Sequence, residues 1–299
     1  METPIDLHEA LAPVAFKYCD DRGVDILRNL RLKVTPPLYF NDPFEFTPYV
    51  FCSSPSRKIK AILRDKENQR EVFKQEKRRG FSGTMRDFRR IWRKSRAELI
   101  SKGICAVPQA NRDLQERALK AYSERHGVLC LSGRADSLLM WGHYSCSQKG
   151  LVFGLASDWE FFREPTKGLR EIQYVRERPE WDSVAPLKGE QGLRIFEKII
   201  FSKNDDWAYE REFRQLFELK CLQKESGKTE ECYYLPIPAA VVKCVILGLR
   251  TPAELENEVR AILSDEKFAH VSLWKAGLHE SRFALNFRCI KQGRSPSEL

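Results

Sequence analysis

Apolar and polar positions alternate in short runs near both ends of the chain. Runs rich in aromatic and β-branched residues predict strands at 14–18, 31–34, 128–132, 151–155, 171–175, 212–219, 233–237, 241–248, 270–275 and 282–289. Short helices are predicted between them, at 24–30, 137–145, 192–201 and 252–263. Because strands and helices do not alternate in regular βαβ units, the pattern favours an α+β fold. We expect a mixed, partly split β-sheet with peripheral helices.

The period changes to a helical one between the second and third predicted strands. Apolar residues there recur at spacings of three, four and seven, as in Met85, Phe88, Trp92 and Leu99. The spacing predicts helices over 57–79 and 84–102, and a third over 112–125, after Pro108. Since strands resume at once, we expect a single α+β domain over 1–299 with a helical insertion at 57–126.

Charge is concentrated in that insertion. Residues 57–102 contain 17 Lys or Arg against 6 Asp or Glu, a local charge of +11, while the whole chain carries +9. Such a segment attracts nucleic acid or an acidic protein, and the candidate contacts are Arg86, Arg89, Arg90 and Arg93. A solvated helix face is the simpler alternative, because Phe81, Phe88 and Trp92 have the spacing of a packing face.

Other features bear on the cellular compartment. The first thirteen residues lack a basic start and an apolar run, so no signal peptide is predicted, and no segment is long and apolar enough for a membrane span. The nine cysteines include no C-x-x-C pair and no zinc-finger spacing. We therefore expect buried free thiols, no metal site, no membrane partner and a cytoplasmic location.

Three motifs place chemically versatile residues close together. They are Lys17-Tyr18 with the later turn Phe40-Asn41-Asp42-Pro43-Phe44-Glu45, then Leu131-Ser132 with Leu139-Met140-Trp141-Gly142-His143-Tyr144, and finally Lys203, Trp207 and Tyr209-Glu210-Arg211-Glu212-Phe213-Arg214. In this order, and with a final strand ending at Gly248, they resemble the bacterial domain-of-unknown-function family 2971. The resemblance covers nearly the whole chain apart from the basic helices, and it implies no particular reaction.

Two glutamates form the centre of the candidate chemistry. If a strand includes both Glu210 and Glu212, their side chains share one face, as does that of Arg214. Neighbouring carboxylates repel each other and one pKa rises, which suits general acid–base catalysis. The same E-x-E spacing resembles the catalytic turn of mono-ADP-ribosyltransferases. That resemblance implies that Glu212 holds the ribose of NAD, and that Glu210 positions the nucleophile.

The same resemblance suggests roles for the other motifs. Tyr144, Tyr18 or Trp207 would stack on the nicotinamide ring of NAD, His143 or Lys17 would bind ribose or pyrophosphate, and Ser132 would orient Glu212. The chain lacks the S-T-S triplet and first-strand arginine of the arginine-modifying subgroup, so the acceptor, nucleic acid or protein, stays open. By analogy, the protein would be a toxin or phage-defence effector, with an antitoxin as a further possible partner.

Alternatives without NAD chemistry remain. Glu210, Glu212 and Arg214 could form a charged strand edge with cross-strand ion pairs. The aromatic residues at 141 and 144 could be the buried face of a short helix. A metal-dependent nuclease would use Asp206, Glu218 and Lys220, and a nucleic-acid-binding protein would use the basic helices alone.

Overall fold

A computed structural model describes residues 14–164, 168–184, 189–227 and 231–294. The first thirteen residues, which carry the signal-peptide prediction, lie outside this range. The strands are β1 (Val14–Cys19), β2 (Arg31–Val34), β3 (Tyr49–Phe51), β4 (His126–Ser132), β5 (Leu151–Ala156), β6 (Arg170–Glu171), β7 (Gln173–Val175), β8 (Glu180–Asp182), β9 (Ser202–Asn204), β10 (Glu212–Glu218), β11 (Gln223–Ser226), β12 (Glu231–Pro236), β13 (Val242–Leu247), β14 (Ser272–Leu278) and β15 (Leu285–Lys291). The helices are α1 (Asp25–Asn29), α2 (Pro55–Arg64), α3 (Lys66–Arg78), α4 (Met85–Lys94), α5 (Arg96–Ser123), α6 (Leu138–Tyr144), α7 (Gly189–Ile200) and α8 (Ala253–Ile262).

The largest sheet is mixed, which confirms the predicted α+β class. Its eight strands run in the order β15-β14-β13-β5-β1-β4-β10-β6. Strands β13 and β14 are parallel and are joined through α8, whereas the other neighbouring pairs in this sheet are antiparallel. A smaller sheet has the order β11-β12-β2.

The large sheet opens between β1 and β4. These strands pair at Phe16 and Ser132, whereas β1 pairs with β5 over six residues and β4 pairs with β10 over seven. Beyond that single pair, the Nζ atom of Lys17 donates to the carbonyl oxygen of Cys130 at 3.0 Å. A lysine side chain thus replaces part of the missing strand pairing, and the strands diverge around it.

Alternation along β1 divides the apolar residues between the two faces of the sheet. Ala15 belongs to a core cluster with α1 and α8, and Phe16 and Tyr18 belong to a second cluster with α6. Trp141 of α6 is fully buried there, and its indole N–H donates to the carbonyl of Ala135 at 2.7 Å. Burying a side chain of this kind contributes about 2–3 kcal/mol of apolar transfer free energy, which holds α6 against the sheet.

The described chain divides into two compact units. The first contains residues up to Glu45, Ala121–Glu177 and the chain from Phe201 onward, and the second contains Phe46–Lys120 and Arg178–Ile200. The large sheet belongs to the first unit. The second unit includes the basic helices, α7, and a short parallel pair formed by β3 and β8.

The basic segment is helical, but its boundaries differ from those predicted. The predicted helix at 57–79 is two helices, because Asp65 has an extended backbone and its carboxylate caps α3 through the N–H of Asn68. The predicted helix at 84–102 is also interrupted, at Ser95. Conversely, α5 continues through Pro108, and the separate helix expected at 112–125 is its last part. Pro108 is exposed, so the carbonyl that loses its donor can bond to water.

Aromatic residues of the second unit pack against one another. Phe88 is buried between Phe73, Phe81 and Trp92, with ring centroids 5.3–6.3 Å from its own. The Trp92 indole donates to the carbonyl of Leu63 at 3.0 Å. These rings form a packing face, as their spacing suggested, in which Phe88 is buried and the other three rings are partly exposed. The predicted contacts Arg86, Arg89, Arg90 and Arg93 lie exposed on α4.

Two further sequence expectations concern the whole chain. All nine cysteines are free thiols, but the expectation that they are buried holds fully only for Cys244, since five are partly exposed and Cys105, Cys146 and Cys221 are exposed. Within the residues that the structure describes, no helix combines the length and the apolar composition needed to cross a bilayer.

Candidate functional site

A pocket of about 440 Å³ occupies the opening between β1 and β4. Its wall comes from these two strands, from α6, from the segment 39–45 and from the residues that precede β10. It brings together residues that are far apart in sequence. Seven of the eight predicted catalytic and NAD-binding residues line it, namely Lys17, Tyr18, Ser132, His143, Tyr144, Glu210 and Glu212.

Four of the lining residues belong to a buried cluster of five charged side chains, which we call the ion cluster. Its members are Glu45, Lys203, Glu210, Glu212 and Arg214, each at most 6% exposed. Three carboxylates face two cations, so full ionisation leaves a net charge of −1. Removing such charges from water is costly unless each is paired, and the contacts of each carboxylate therefore decide its properties.

Lys203 is the centre of the ion cluster. Its Nζ atom lies 2.6 Å from Glu210, 3.1 Å from Glu45 and 3.2 Å from Glu212. An ammonium group has three hydrogens, so each carboxylate can receive one. Burial lowers the pKa of Lys203, but the three carboxylates outweigh it and raise that pKa above its usual value. Lys203 is therefore a fixed cation that holds three chain segments together.

Glu212 is the most strongly held carboxylate. The Nε and Nη2 atoms of Arg214 donate to its two oxygens at 2.7 and 3.0 Å, and Lys203 adds a third charged contact. Burial favours the neutral acid, yet Arg214 and Lys203 outweigh burial and lower the pKa of Glu212 to about 2. A buried carboxylate with both oxygens bound to cations is poorly suited to hold a ribose.

Glu45 enters the ion cluster through the Asn-Asp-Pro turn. The carboxylate of Asp42 accepts from the N–H of Phe44 at 2.9 Å, and the carbonyl of Asp42 accepts from the N–H of Glu45 at 3.2 Å. This local bonding directs the side chain of Glu45 toward Lys203 and Arg214. The structural turn thus places a third carboxylate in the ion cluster. Burial raises the pKa of this carboxylate, that of Glu45.

Glu210 reaches the same lysine by a different route from the one expected. It does not lie on β10, because a 3₁₀ helix ends at Glu210 and Arg211 adopts a left-handed conformation with φ 43°. The expectation that Glu210 and Glu212 alternate along one strand is therefore wrong, although Glu212 and Arg214 do. The bend at Arg211 costs about 1–2 kcal/mol for a residue other than glycine, and it turns both carboxylates toward Lys203.

Ser132 lies directly opposite Glu212 in the strand register, but its hydroxyl has a different partner. The hydroxyl donates to the main-chain carbonyl of Glu210 at 2.5 Å. Ser132 consequently fixes the backbone of Glu210, and it does not orient the carboxylate of Glu212, as its predicted role required.

The carboxylate of Glu210 connects the ion cluster to the pocket. The Tyr144 hydroxyl donates to its Oε1 atom at 2.7 Å, and the amide of Asn41 donates to the Tyr144 oxygen at 3.1 Å. Burial raises the pKa of Glu210, with Lys203 opposing the shift only in part. Burial and the charge of Glu210 also raise the pKa of Tyr144. Glu210 is thus the carboxylate with the properties of a general base.

Aromatic rings surround the entrance. The exposed His143 lies 6.2–6.4 Å from Tyr144, Trp207 and Tyr209, measured between ring centroids. Trp207, the eighth predicted residue, does not line the pocket itself; its ring lies over Lys203, with the Nζ atom 4.9 Å from the ring centroid. Tyr18 forms a wall, and its hydroxyl donates to the carbonyl of Arg134 at 3.0 Å.

Sequence reasoning omitted four residues of this site from the predicted set, namely Asn41, Glu45, Lys203 and Arg214. All four lie inside the three motifs described above. The i, i+2 spacing of Glu212 and Arg214 on a strand indicates that the two side chains share a face, and it could have identified Arg214. The triangular pairing around Lys203 depends on contacts between positions up to 158 residues apart, counted from Glu45, and no local pattern reveals it.

The residues of the nuclease alternative, Asp206, Glu218 and Lys220, do not line this pocket. Glu218 pairs with Lys220 at 2.6 Å on an exposed surface, and it lies at the far end of β10 from Glu212, about 20 Å along the strand. Among the residues that the structure describes, no group of three or more His, Cys, Asp or Glu side chains is arranged to hold a metal ion.

Comparison of the chain with family models, with curated proteins and with solved structures finds no match.

Proposed function

We propose that this protein is an ADP-ribosyltransferase-like enzyme that binds NAD in the pocket between β1 and β4. The observation that carries the proposal is the placement of Glu210, a buried carboxylate with a raised pKa, behind a tyrosine hydroxyl at the pocket wall. The volume of about 440 Å³ is within the range of roughly 300–1,000 Å³ typical of small-molecule sites.

The chemistry asks for a base near the sugar. When the bond between ribose and nicotinamide breaks, its electron pair leaves with the nicotinamide, and positive charge develops on the sugar. The acceptor then bonds to the sugar carbon and must lose a proton. Glu210 supplies the base, and its negative charge also stabilises the cationic sugar. This proposal makes Glu210, and not Glu212, the glutamate that acts on the sugar, because both oxygens of Glu212 are bound by Arg214.

The remaining lining residues support binding of a nucleotide. The rings of Tyr18, Tyr39 and Phe40 provide apolar wall, and His143 lies at the entrance. Lys17 uses one N–H to bond the Cys130 carbonyl, which leaves two for a ribose or pyrophosphate oxygen. Nicotinamide, ribose and phosphate thus each have a chemically suitable group within one pocket.

The exposed arginines of α4 suggest how an acceptor is recruited. Arg86, Arg89, Arg90 and Arg93 recur at three, four and seven, so they share one helix face away from buried Phe88. A polyanion such as nucleic acid suits this face. A binding protein without NAD chemistry would use the same face, and it is the second candidate function. A cytoplasmic toxin or phage-defence effector with its own antitoxin is consistent with either activity, by analogy.

Release of nicotinamide tests the proposal. Purified protein should release nicotinamide from NAD, and Glu210→Gln should reduce the rate by about 10²-fold, or about 2.7 kcal/mol of transition-state stabilisation. Glu218→Gln, an exposed carboxylate at the other end of β10, is the matched control and should retain the rate. If the wild-type protein neither binds NAD in calorimetry nor releases nicotinamide with cell extract as acceptor, the proposal is wrong and the binding function is preferred.

A further inference from the structure

A hydrogen-bonded chain leads from the surface to Glu210 through Asn41 and Tyr144. We propose that Tyr144 transfers a proton between the pocket and Glu210, and that Asn41 sets the direction of this transfer. The inference rests on the proposed function for its substrate, but the direction of the chain follows from geometry alone.

The orientation of the Asn41 amide is determined by its neighbour. Its Oδ1 atom accepts from the main-chain N–H of Asp42 at 3.1 Å, and only the oxygen of an amide can accept. The group facing Tyr144 is therefore the NH₂, which can only donate. It lies 3.1 Å from the Tyr144 oxygen.

This donor leaves one place for the phenolic hydrogen. Because the Tyr144 oxygen accepts from Asn41, its own hydrogen points elsewhere, and the Glu210 carboxylate lies 2.7 Å away. The carboxylate is an acceptor when ionised. Every bond in the chain thus runs in one direction, from amide to phenol to carboxylate.

Burial gives Tyr144 its role as intermediary. The side chain of Glu210 is only 3% exposed, whereas Tyr144 is half-buried and Asn41 is exposed. Glu210 and Tyr144 both line the pocket, but in the hydrogen-bonded chain Tyr144 lies between Glu210 and the exposed Asn41. A nucleophile in the pocket meets the Tyr144 oxygen before it meets the carboxylate.

The transfer balances in atoms and charge. As the bond between nucleophile and sugar carbon forms, the nucleophile gives its proton to the Tyr144 oxygen, and Tyr144 gives its own hydrogen to Glu210. The bond between sugar and nicotinamide breaks at the same time, and nicotinamide keeps the electron pair. Glu210 ends neutral. After product leaves, Glu210 returns a proton to the Tyr144 oxygen, the hydroxyl passes its other hydrogen to solvent, and the resting bond from Tyr144 to the ionised carboxylate, which Asn41 favours, forms again.

Two substitutions change the chain while keeping its shape. Tyr144→Phe keeps the ring and removes the hydroxyl. Asn41→Asp keeps the size but replaces a donor by a carboxylate, which competes with Glu210 for the phenolic hydrogen. Tyr233→Phe is the matched control, because the Tyr233 hydroxyl donates to Glu231 at 3.0 Å in an exposed tyrosine–glutamate pair on another sheet.

The test compares nicotinamide release and the titration of Glu210, followed by NMR of carboxyl-labelled glutamate and assigned with Glu210→Gln. Tyr144→Phe should slow release at least tenfold and lose the slowing that D₂O causes in the wild type, and Asn41→Asp should also slow release. In both variants Glu210 should titrate at a higher pH, because the carboxylate loses a donor.

The control and the failure outcomes are distinct. Tyr233→Phe should leave the rates and the Glu210 titration unchanged. If the wild type releases no nicotinamide, the proposed function fails, and the titration alone decides the direction of the chain. Wild-type release by Tyr144→Phe, or an unmoved Glu210 titration in that variant, would overturn the inference.

Discussion

The Nζ atom of Lys203 lies 2.6 Å from the carboxylate of Glu210 and 3.2 Å from that of Glu212. One lysine therefore binds two carboxylates that are neighbours in sequence but differ in their other contacts. Glu212 adds a bidentate arginine, whereas Glu210 adds a neutral phenol. The two glutamates consequently have pKa values shifted in opposite directions, which matches a structural role for Glu212 and the role of base that we propose for Glu210.

Isosteric substitutions should separate these two roles. Glu212→Gln should reduce the free energy of unfolding by about 3–5 kcal/mol, because Arg214 and Lys203 lose a buried counter-charge. Glu210→Gln should reduce nicotinamide release while changing stability less. Urea denaturation measures the first effect and the NAD assay the second. The exposed pair Lys102–Glu98 provides the control, since Glu98→Gln should change the free energy of unfolding little.

The cost of Glu212→Gln should depend on pH. The folded pKa of Glu212 is about 2, below its usual value near 4.5, so its contribution to stability is fully present above the usual value. It should diminish as the pH falls from about 5 toward 2. Urea denaturation of wild type and variant at several pH values measures the difference. A difference that stays constant down to pH 3 would contradict the assigned ion pairing.

Lys203→Met should give the opposite pH dependence. Removing this cation leaves three buried carboxylates with Arg214 and raises the pKa of Glu210 further. The native state then binds more protons than the unfolded state above pH 4.5, so stability falls as the pH rises. The loss caused by Lys203→Met should be larger at pH 8 than at pH 5. Lys220→Met removes an exposed lysine with the same 2.6 Å contact to a glutamate, and its effect should be small at both values.

The arginine face of α4 should make DNA binding depend on salt concentration. Replacing Arg86, Arg89, Arg90 and Arg93 by glutamine should weaken binding to duplex DNA, and it should reduce the slope of log K against log salt by about 0.9 for each phosphate that the variant no longer neutralises. Fluorescence titration at several salt concentrations measures the slope. Glutamine at four exposed arginines of the first unit, Arg22, Arg28, Arg176 and Arg282, is the matched control. Equal slopes for the two quadruple variants would remove α4 as the recruiting surface.

Much of the fold could be predicted because its signals are local. The alternation that predicts β1, β4, β5, β10 and β13 places their residues on opposite faces of one sheet, and these strands lie within two residues of the predicted bounds at either end. Helix ends were harder. Asp65 interrupts a helical pattern by capping the next helix, and exposed Pro108 fails to interrupt one. Each outcome depends on side-chain bonding or solvent access that apolar spacing does not encode.

The candidate site was predicted in its members more than in its chemistry. Motif composition selected the residues that line the pocket, but the roles of Glu210 and Glu212 depend on which of them receives Arg214. The left-handed backbone at Arg211 determines which glutamate pairs with Arg214, and an arginine at this position does not predict such a conformation. Similarly, Ser132 stands opposite Glu212 in register while its hydroxyl bonds the backbone of Glu210.

The ion cluster also has a consequence for the order of folding. Glu45 and Arg214 are separated by 169 positions, so their pairing closes a very long loop. Such contacts form late, after local elements and nearby strand pairs, because the entropy of loop closure must first be offset. Substitutions in the ion cluster should therefore accelerate unfolding much more than they slow folding. Because the ion cluster forms late, a molecule in which it has formed is nearly fully folded. Partly folded forms of this protein therefore lack the candidate site.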